Sequence, residues 1–312
     1  MLSYYLLKLP VLNQSMMVKY ILLLLTSLLT ISLPAALAQP YLSDGPSQPA
    51  ALTAGDVIDR IKANITVDWS GETVDTFKAG SAGQEVTGIA TTFLATLDVL
   101  KRAHAQGANM VLTHEPTFYN HLDDKSYFTD DPVMQAKLDF IREHDMVVFR
   151  FHDFWHRTRP DGIFEGVVDA FGWEKYRQGE QQLFNIPATT LDQLARDLSQ
   201  KFNTSTLRVV GPPEMQISTV GILPGASGMR SQVAMMRENE LDVLIVGESA
   251  EWEAVEYARD GLEAGIQKAL IVMGHADSEE AGMEHCAEWL DQFIDEVPVI
   301  FVPAGNPLWS PE

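Results

Sequence analysis

Short apolar runs alternate with amphipathic helical stretches through most of this chain, and three of the runs end at histidine. Val111-Leu112-Thr113 leads into His114-Glu115-Pro116. Met146 through Phe151 leads into His152-Asp153-Phe154-Trp155-His156, and Ala269 through Met273 into Gly274-His275. Strands that alternate with helices imply crossover connections and a largely parallel sheet, covered on its faces by those helices. In such folds, open or closed, ligands bind beyond the carboxyl ends of the strands. Imidazoles and carboxylates gathered there from distant parts of a chain are the usual makings of a transition-metal site.

The periodicity predicts helices over residues 53–65, 94–104, 133–144, 161–171, 191–202, 231–238, 251–263 and 279–294. Strands are expected at 86–91, 109–113, 146–151, 207–210, 217–223, 243–246, 269–273 and 299–302. Thr53 and Asp56 are placed as a capping box for the first helix. The strand–glycine–helix order recurs in both halves, which suggests two similar lobes.

The N-terminus reads as an export signal. Val18-Lys19-Tyr20 is followed by an apolar run from Ile21 to Leu33, then Pro34 and Ala36-Leu37-Ala38. The run is short for a membrane span, which needs ~20 residues. We place cleavage after Ala38, assign residues 1–38 to the signal peptide and 39–52 to a Pro- and Ser-containing linker, and expect a periplasmic or secreted protein. Lys8 and Lys19 leave with the signal, so the formal charge of −21 becomes more negative still. That acidity repels phosphate backbones and argues against nucleic-acid binding. Cys286 is the only cysteine, so no intrachain disulfide can form. No membrane association is expected after cleavage.

Each motif has a bland reading beside the chemical one. A single loop histidine is more often a surface residue than a ligand, and this applies to His114 and His156, and more so to His152. His275 and Glu279 form the strongest pair, because four residues at a strand-to-helix junction put both side chains on one helical face. A helix-start ion pair would use the same spacing. Gly225, Ser227 and Gly228 lie in a strand-to-helix turn whose amides could meet an anion; an ordinary turn is the plainer reading. Glu248 follows the strand at 243–246, where it could orient a ligand.

These stretches together carry a family resemblance. Residues 108–116, 151–156, 242–248 and 274–279 resemble motifs of the Nif-three-like dinuclear-metal hexameric proteins, many labelled GTP cyclohydrolase I type 2 homologues. The similarity spans about residues 53–303 and is most specific at Gly274-His275-Ala276-Asp277-Ser278-Glu279. It implies two α/β lobes with mixed, largely parallel sheets in one domain over residues 53–312. The lobes would part near 160–215, the C-terminal part would return to the first, and metals would lie in the cleft. It also implies two divalent ions (Zn, Fe or Mn) and a ring-shaped homohexamer. The implied ligands are His114, Glu115, His156, His275 and Glu279, with Glu279 bridging. Where the family has a second histidine this chain has Glu115, and where it has an aspartate this chain has His156. The two departures leave the number of imidazoles and carboxylates unchanged. Asp153 and Glu248 are then candidates for proton transfer or ligand orientation. A small substrate, a phosphate or a cyclic amide, would sit near Gly225–Gly228. The expected function is two-metal hydrolysis; a non-catalytic metal-handling protein needs the same ligands. An amidohydrolase-like barrel also puts histidines at strand ends, but the order of motifs matches it poorly.

Overall fold

The computed structural model describes residues 51–179 and 182–311. The signal read at 1–38 and most of the linker lie outside them. Helix α1 (Ala54–Asn64) opens with the expected reciprocal cap: Asp56 donates its N–H to Thr53 Oγ1, and Thr53 donates its own to Asp56 Oδ2. There follow β1 (Phe77–Ala79), β2 (Ile89–Thr92), α2 (Leu97–Ala105), β3 (Met110–Thr113), α3 (Pro132–Glu143) and β4 (Val147–Arg150). The short α4 (Asp153–Arg157) and α5 (Gly162–Phe171) lead into β5 (Leu183–Thr190), α6 (Leu191–Lys201), β6 (Arg208–Val210) and β7 (Gln216–Leu223). Next come α7 (Gly228–Glu238), β8 (Val243–Val246), α8 (Glu256–Glu263), β9 (Ala269–Val272), α9 (His275–Leu290) and β10 (Val299–Phe301).

Among the described residues the strands form two five-stranded sheets, ordered β1-β4-β3-β2-β10 and β5-β7-β8-β9-β6. In the first, β10, β2, β3 and β4 run parallel and β1 is an antiparallel edge. In the second, β7, β8 and β9 are parallel between the antiparallel edges β5 and β6. The fold is thus α/β with two mixed sheets, as the alternation implies. Every strand and helix expected from the sequence is present, with shifted ends. The sequence reading omits β1 and β5. Both are edge strands with partly exposed residues, and Pro187 interrupts the apolar pattern of β5.

The central strands β2, β3, β4, β8 and β9 are buried along their whole length, which accounts for their unbroken apolar runs. One core cluster joins the inner faces of both sheets through α1, α5, α6 and α9, including Ile89, Leu112, Ile163, Val167, Ile222, Ile245 and Met283. Separate clusters lie under α2 and α3 on one side and under α7 and α8 on the other. Helices α5 and α9 cross at backbone contact. A Cβ on Gly282 would fall 2.5 Å from Ile163 Cα, and one on Gly166 would fall 2.5 Å from the Ala281 carbonyl oxygen.

Candidate metal centre

The three histidine-ended strands deliver their loops to one place. His114 and Glu115 follow β3; His152 follows β4; His156 lies on α4; His275 and Glu279 stand one turn apart on α9, which follows β9. The first four come from one sheet and the last two from the other.

Two carboxylates occupy the middle and four imidazoles surround them. Glu279 Oε2 lies 3.0 Å from His275 Nε2 and 3.5 Å from His114 Nε2, while its Oε1 lies 3.9 Å from His156 Nε2. Glu115 Oε1 lies 3.4 Å from His275 Nε2 and 3.6 Å from His152 Nε2. Every imidazole therefore turns Nε2 inward. Their Nδ1 atoms face outward to oxygens: the Phe151 carbonyl for His114 (3.4 Å), Asp153 for His152 (2.9 Å), Asp161 for His156 (3.1 Å) and Glu248 for His275 (3.5 Å). An outer acceptor that holds the proton on Nδ1 leaves the Nε2 lone pair free, which is the arrangement metal-ligating histidines use. His114 Nε2 is buried with no hydrogen-bond partner, a costly state for a polar atom unless something else binds it. His114, His152 and His156 form one group of ligand atoms close enough to hold a metal ion, and His114, Glu115 and Glu279 form another. The donor set, imidazole with carboxylate, suits Zn, Fe or Mn.

The electrostatics fit the same picture. Burial works to raise the Glu115 carboxyl, but His275, His114 and His152 outweigh it and bring it down to about 2. Glu279 is also held well below the carboxylate range: burial opposes this, and His114 and His275 override it. Burial and the neighbouring His114 push His152 down to about 4. Burial would lower His275 too, yet contacts with Glu115 and Glu279 raise it from 6.5 to about 10.

That last shift has a testable sign. A folded-state value above the unfolded one adds stability that is complete below 6.5 and lost as pH rises through about 10. A metal needs the neutral imidazole, so it must displace this proton. Metal-free protein should therefore lose stability between 6.5 and about 10, while the stabilisation added by a saturating metal grows across the same window. Thermal melts with metal and with chelator at about pH 7 and about pH 9 check this; a metal increment that shrinks as pH rises would contradict it.

Helix α4 is pinned from outside. The buried Asp75 accepts the N–H groups of His152 (2.8 Å), Asp153 (2.9 Å) and Phe154 (2.9 Å). It is brought there by β1, which pairs with β4. Burial raises its carboxyl above the usual value despite these donors. Asp75→Ala leaves three amide donors without their acceptor and should cost roughly 2–3 kcal/mol. Chemical denaturation measures it; a loss under about 0.5 kcal/mol would mean that water replaces the carboxylate fully.

The family pattern described as Duf34/NIF3 (NGG1p interacting factor 3) matches residues 56–307. The chain belongs to the NIF3 family. NIF3-like folds of known structure are similar to it along most of its length. The hypothetical protein SA1388 of Staphylococcus aureus superposes with a TM-score of 0.65 at 15% identity, covering 83% of this chain and 99% of that one. A Bacillus cereus protein related to NIF3 gives 0.64 at 13% identity, covering 82% and 97%. Reduced HcgD from Methanocaldococcus jannaschii gives 0.56 at 15% identity, covering 80% and 98%. At these identities the likeness establishes the fold alone. No curated protein matches this sequence.

In this NIF3 chain the five residues implied as ligands are all in the cluster, and His152, which opens the middle motif but is not among those implied ligands, joins them. A five-residue helix puts His152 and His156 at i and i+4, so both reach the centre. Asp153 orients His152 with one oxygen, while the other takes the Thr73 hydroxyl (2.9 Å) and the Val74 N–H (3.3 Å). Glu248, exposed beside His275, lines a cavity of about 980 Å³ that opens onto Glu115 and His275 between Phe93, Leu207, Arg208 and Leu308. A second cavity of about 1090 Å³ reaches His156 beside Arg159, Asp161 and Arg177.

The glycine turn is tied into the fold at its first residue. Gly225 gives its N–H to Ser278 Oγ (3.0 Å), so that donor is not free for a substrate anion, and its carbonyl accepts from the Glu248 N–H (3.1 Å). Ser227 Oγ accepts from Gln232 (3.2 Å), and Gly228 has open space where a Cβ would stand. Gly225 instead serves Glu279: a Cβ there would lie 2.0 Å from Glu279 Oε1.

Proposed function

We infer that this NIF3 protein carries a two-metal centre and uses it to hydrolyse a small substrate. The observation that carries the reading is the shared orientation of the four imidazoles, Nε2 inward on two carboxylates and Nδ1 outward on an acceptor. His114, His156 and His275, with Glu115, would serve as terminal ligands, and His152 is available to the same group. Glu279 would be the shared carboxylate, which its two oxygens facing different imidazoles support. Two bound divalent ions, Zn, Fe or Mn, would supply an activated water and stabilise a developing oxyanion. The chain's own residues do the rest. Asp153, Asp161 and Glu248 fix the rings that face them. Glu248, open to the 980 Å³ cavity, is placed to take or return a proton at its carboxylate. The substrate enters this cavity rather than the Gly225 turn. Its walls are mainly apolar, and its one guanidinium, Arg208, already pairs with Glu251 at 3.3 Å. That favours a cyclic amide over a phosphate.

Export to the periplasm or medium and assembly into a homohexamer belong to the same reading. They rest on the N-terminal pattern and on family resemblance. The alternative, a protein that binds metal without turnover, shares every ligand; the cavity opening onto Glu115 and His275 favours the enzyme.

Metal analysis of the purified protein tests the first step, with about two divalent ions expected per chain. A chain that takes up none from metal-replete medium overturns the reading. Turnover of cyclic-amide probes in the metal-loaded protein tests the second. Full loading without turnover of any amide, ester or phosphate probe favours the metal-handling alternative.

A further inference from the structure

Arg150, the last residue of β4, is fully buried immediately behind the centre. Its Nε donates to the His114 carbonyl (3.1 Å), Nη1 to the His121 carbonyl (2.5 Å), and Nη2 to Glu115 Oε2 (3.3 Å). A guanidinium stays charged in any protein setting, so this buried cation requires an anion. The other nearby acid is Asp123, 3.9 Å from Nη1, and it is engaged by the ammonium of Lys78 at 3.3 Å. Lys137, also buried, is bound to the Thr117 carbonyl at 2.7 Å and brings another positive charge to this side. Glu115 is therefore the carboxylate left to answer Arg150.

The contact divides the two oxygens of Glu115. Oε2 faces Arg150, and only Oε1 faces His275 and His152. We propose that Arg150 is a positioning residue that restricts Glu115 to one-oxygen ligation and thereby sets the metal preference of the centre. With Oε2 held back and part of its charge offset, the site offers fewer oxygens and less negative charge. That favours ions content with few ligands and imidazole donors, such as Zn. Mn takes more oxygen ligands and gains from a second one. This rests on the metal-binding reading above and extends it to selectivity.

The test is equilibrium dialysis of the purified chain against equal free Zn and Mn, with metal analysis of the protein. In Arg150→Met, Oε2 is released, and the bound Mn-to-Zn ratio should rise about tenfold, the change expected from freeing one charge-assisted contact. Arg150→Lys keeps the charge but loses the fork, and should move the ratio in the same direction by about threefold; it reads the same effect if the Met variant does not fold. In a Glu115→Gln background, which has no second carboxylate oxygen to release, Arg150→Met should change the ratio by less than about twofold. A ratio that stays within about twofold of wild type in the folded Arg150 variants overturns the proposal. So does an equal shift in the Glu115→Gln background, because Arg150 would then only brace the loop. A wild-type protein that binds neither metal defeats the metal reading itself, and this inference with it.

Discussion

Glu279→Ala should empty the metal centre. Glu279 approaches three imidazoles, drawn from both sheets: His275 at 3.0 Å on its own helix, His114 at 3.5 Å and His156 at 3.9 Å across the cleft. Without it, His114 and His156 lose the acid that each faces, and Glu115 alone remains to offset the charge of bound cations. Metal content should fall from about two ions per chain to well below one, and the rise in melting temperature on adding metal should vanish with it, since only a bound ligand stabilises the folded state. His275 provides a second readout. Having lost one of the two carboxylates that face its Nε2, it should titrate well below its wild-type value of about 10 by NMR. Metal content unchanged in a folded Glu279→Ala protein would remove Glu279 from the site.

Gly225→Ala should damage both the fold and the centre. The residue has φ of 62°, where a side chain is strained, and its Cβ would stand 2.0 Å from Glu279 Oε1. Strain and overlap together should cost roughly 3–5 kcal/mol and displace the bridging carboxylate. Gly228→Ala is the control. Gly228 has φ of 76° with nothing near its Cβ position, so only the strain remains, on the order of 1 kcal/mol. Equal losses in the two variants, measured by denaturant unfolding and metal analysis, would mean that the approach of Gly225 to Glu279 has no energetic consequence.

Much of this architecture is legible in the sequence because the central strands are buried on both faces. Their unbroken runs, such as Val243–Val246 and Ala269–Val272, mark the parallel strands, and the residues just beyond their carboxyl ends mark the site. The edges are not legible. β1 is a three-residue, half-buried strand inside a polar stretch, and with it goes Asp75, whose role depends on a pairing that no local pattern reveals. His152 is visible as a strand-end histidine but stays outside the expected ligand set, because whether it and His156 both face inward depends on α4 forming. The Gly225 turn shows another limit: composition cannot say whether an amide is already bonded, and Ser278 holds that of Gly225. The exchange of Glu115 and His156 also looks different in three dimensions. As a count of donors it balances across the whole site. In the structure each residue also has its own counter-charge, Arg150 at 3.3 Å from Glu115 and Asp161 at 3.1 Å from His156. Such local partners are set by the fold, and sequence spacing does not show them.

The bare crossing of α5 on α9 bears on how this centre can behave. Glycine meets backbone there, Gly282 against Ile163 Cα and Gly166 against the Ala281 carbonyl, so neither position has room for a Cβ. One sheet carries His114, Glu115, His152 and His156, and the other sends out His275 and Glu279 through α9 itself. The donor cage thus spans both sheets, and Gly166 and Gly282 let α5 and α9 approach at backbone contact beside it. The cage behaves as a caliper whose jaws are locked far from their tips. An ion of the wrong size must then be accommodated by the side chains at the rim, because the frame has no slack to give.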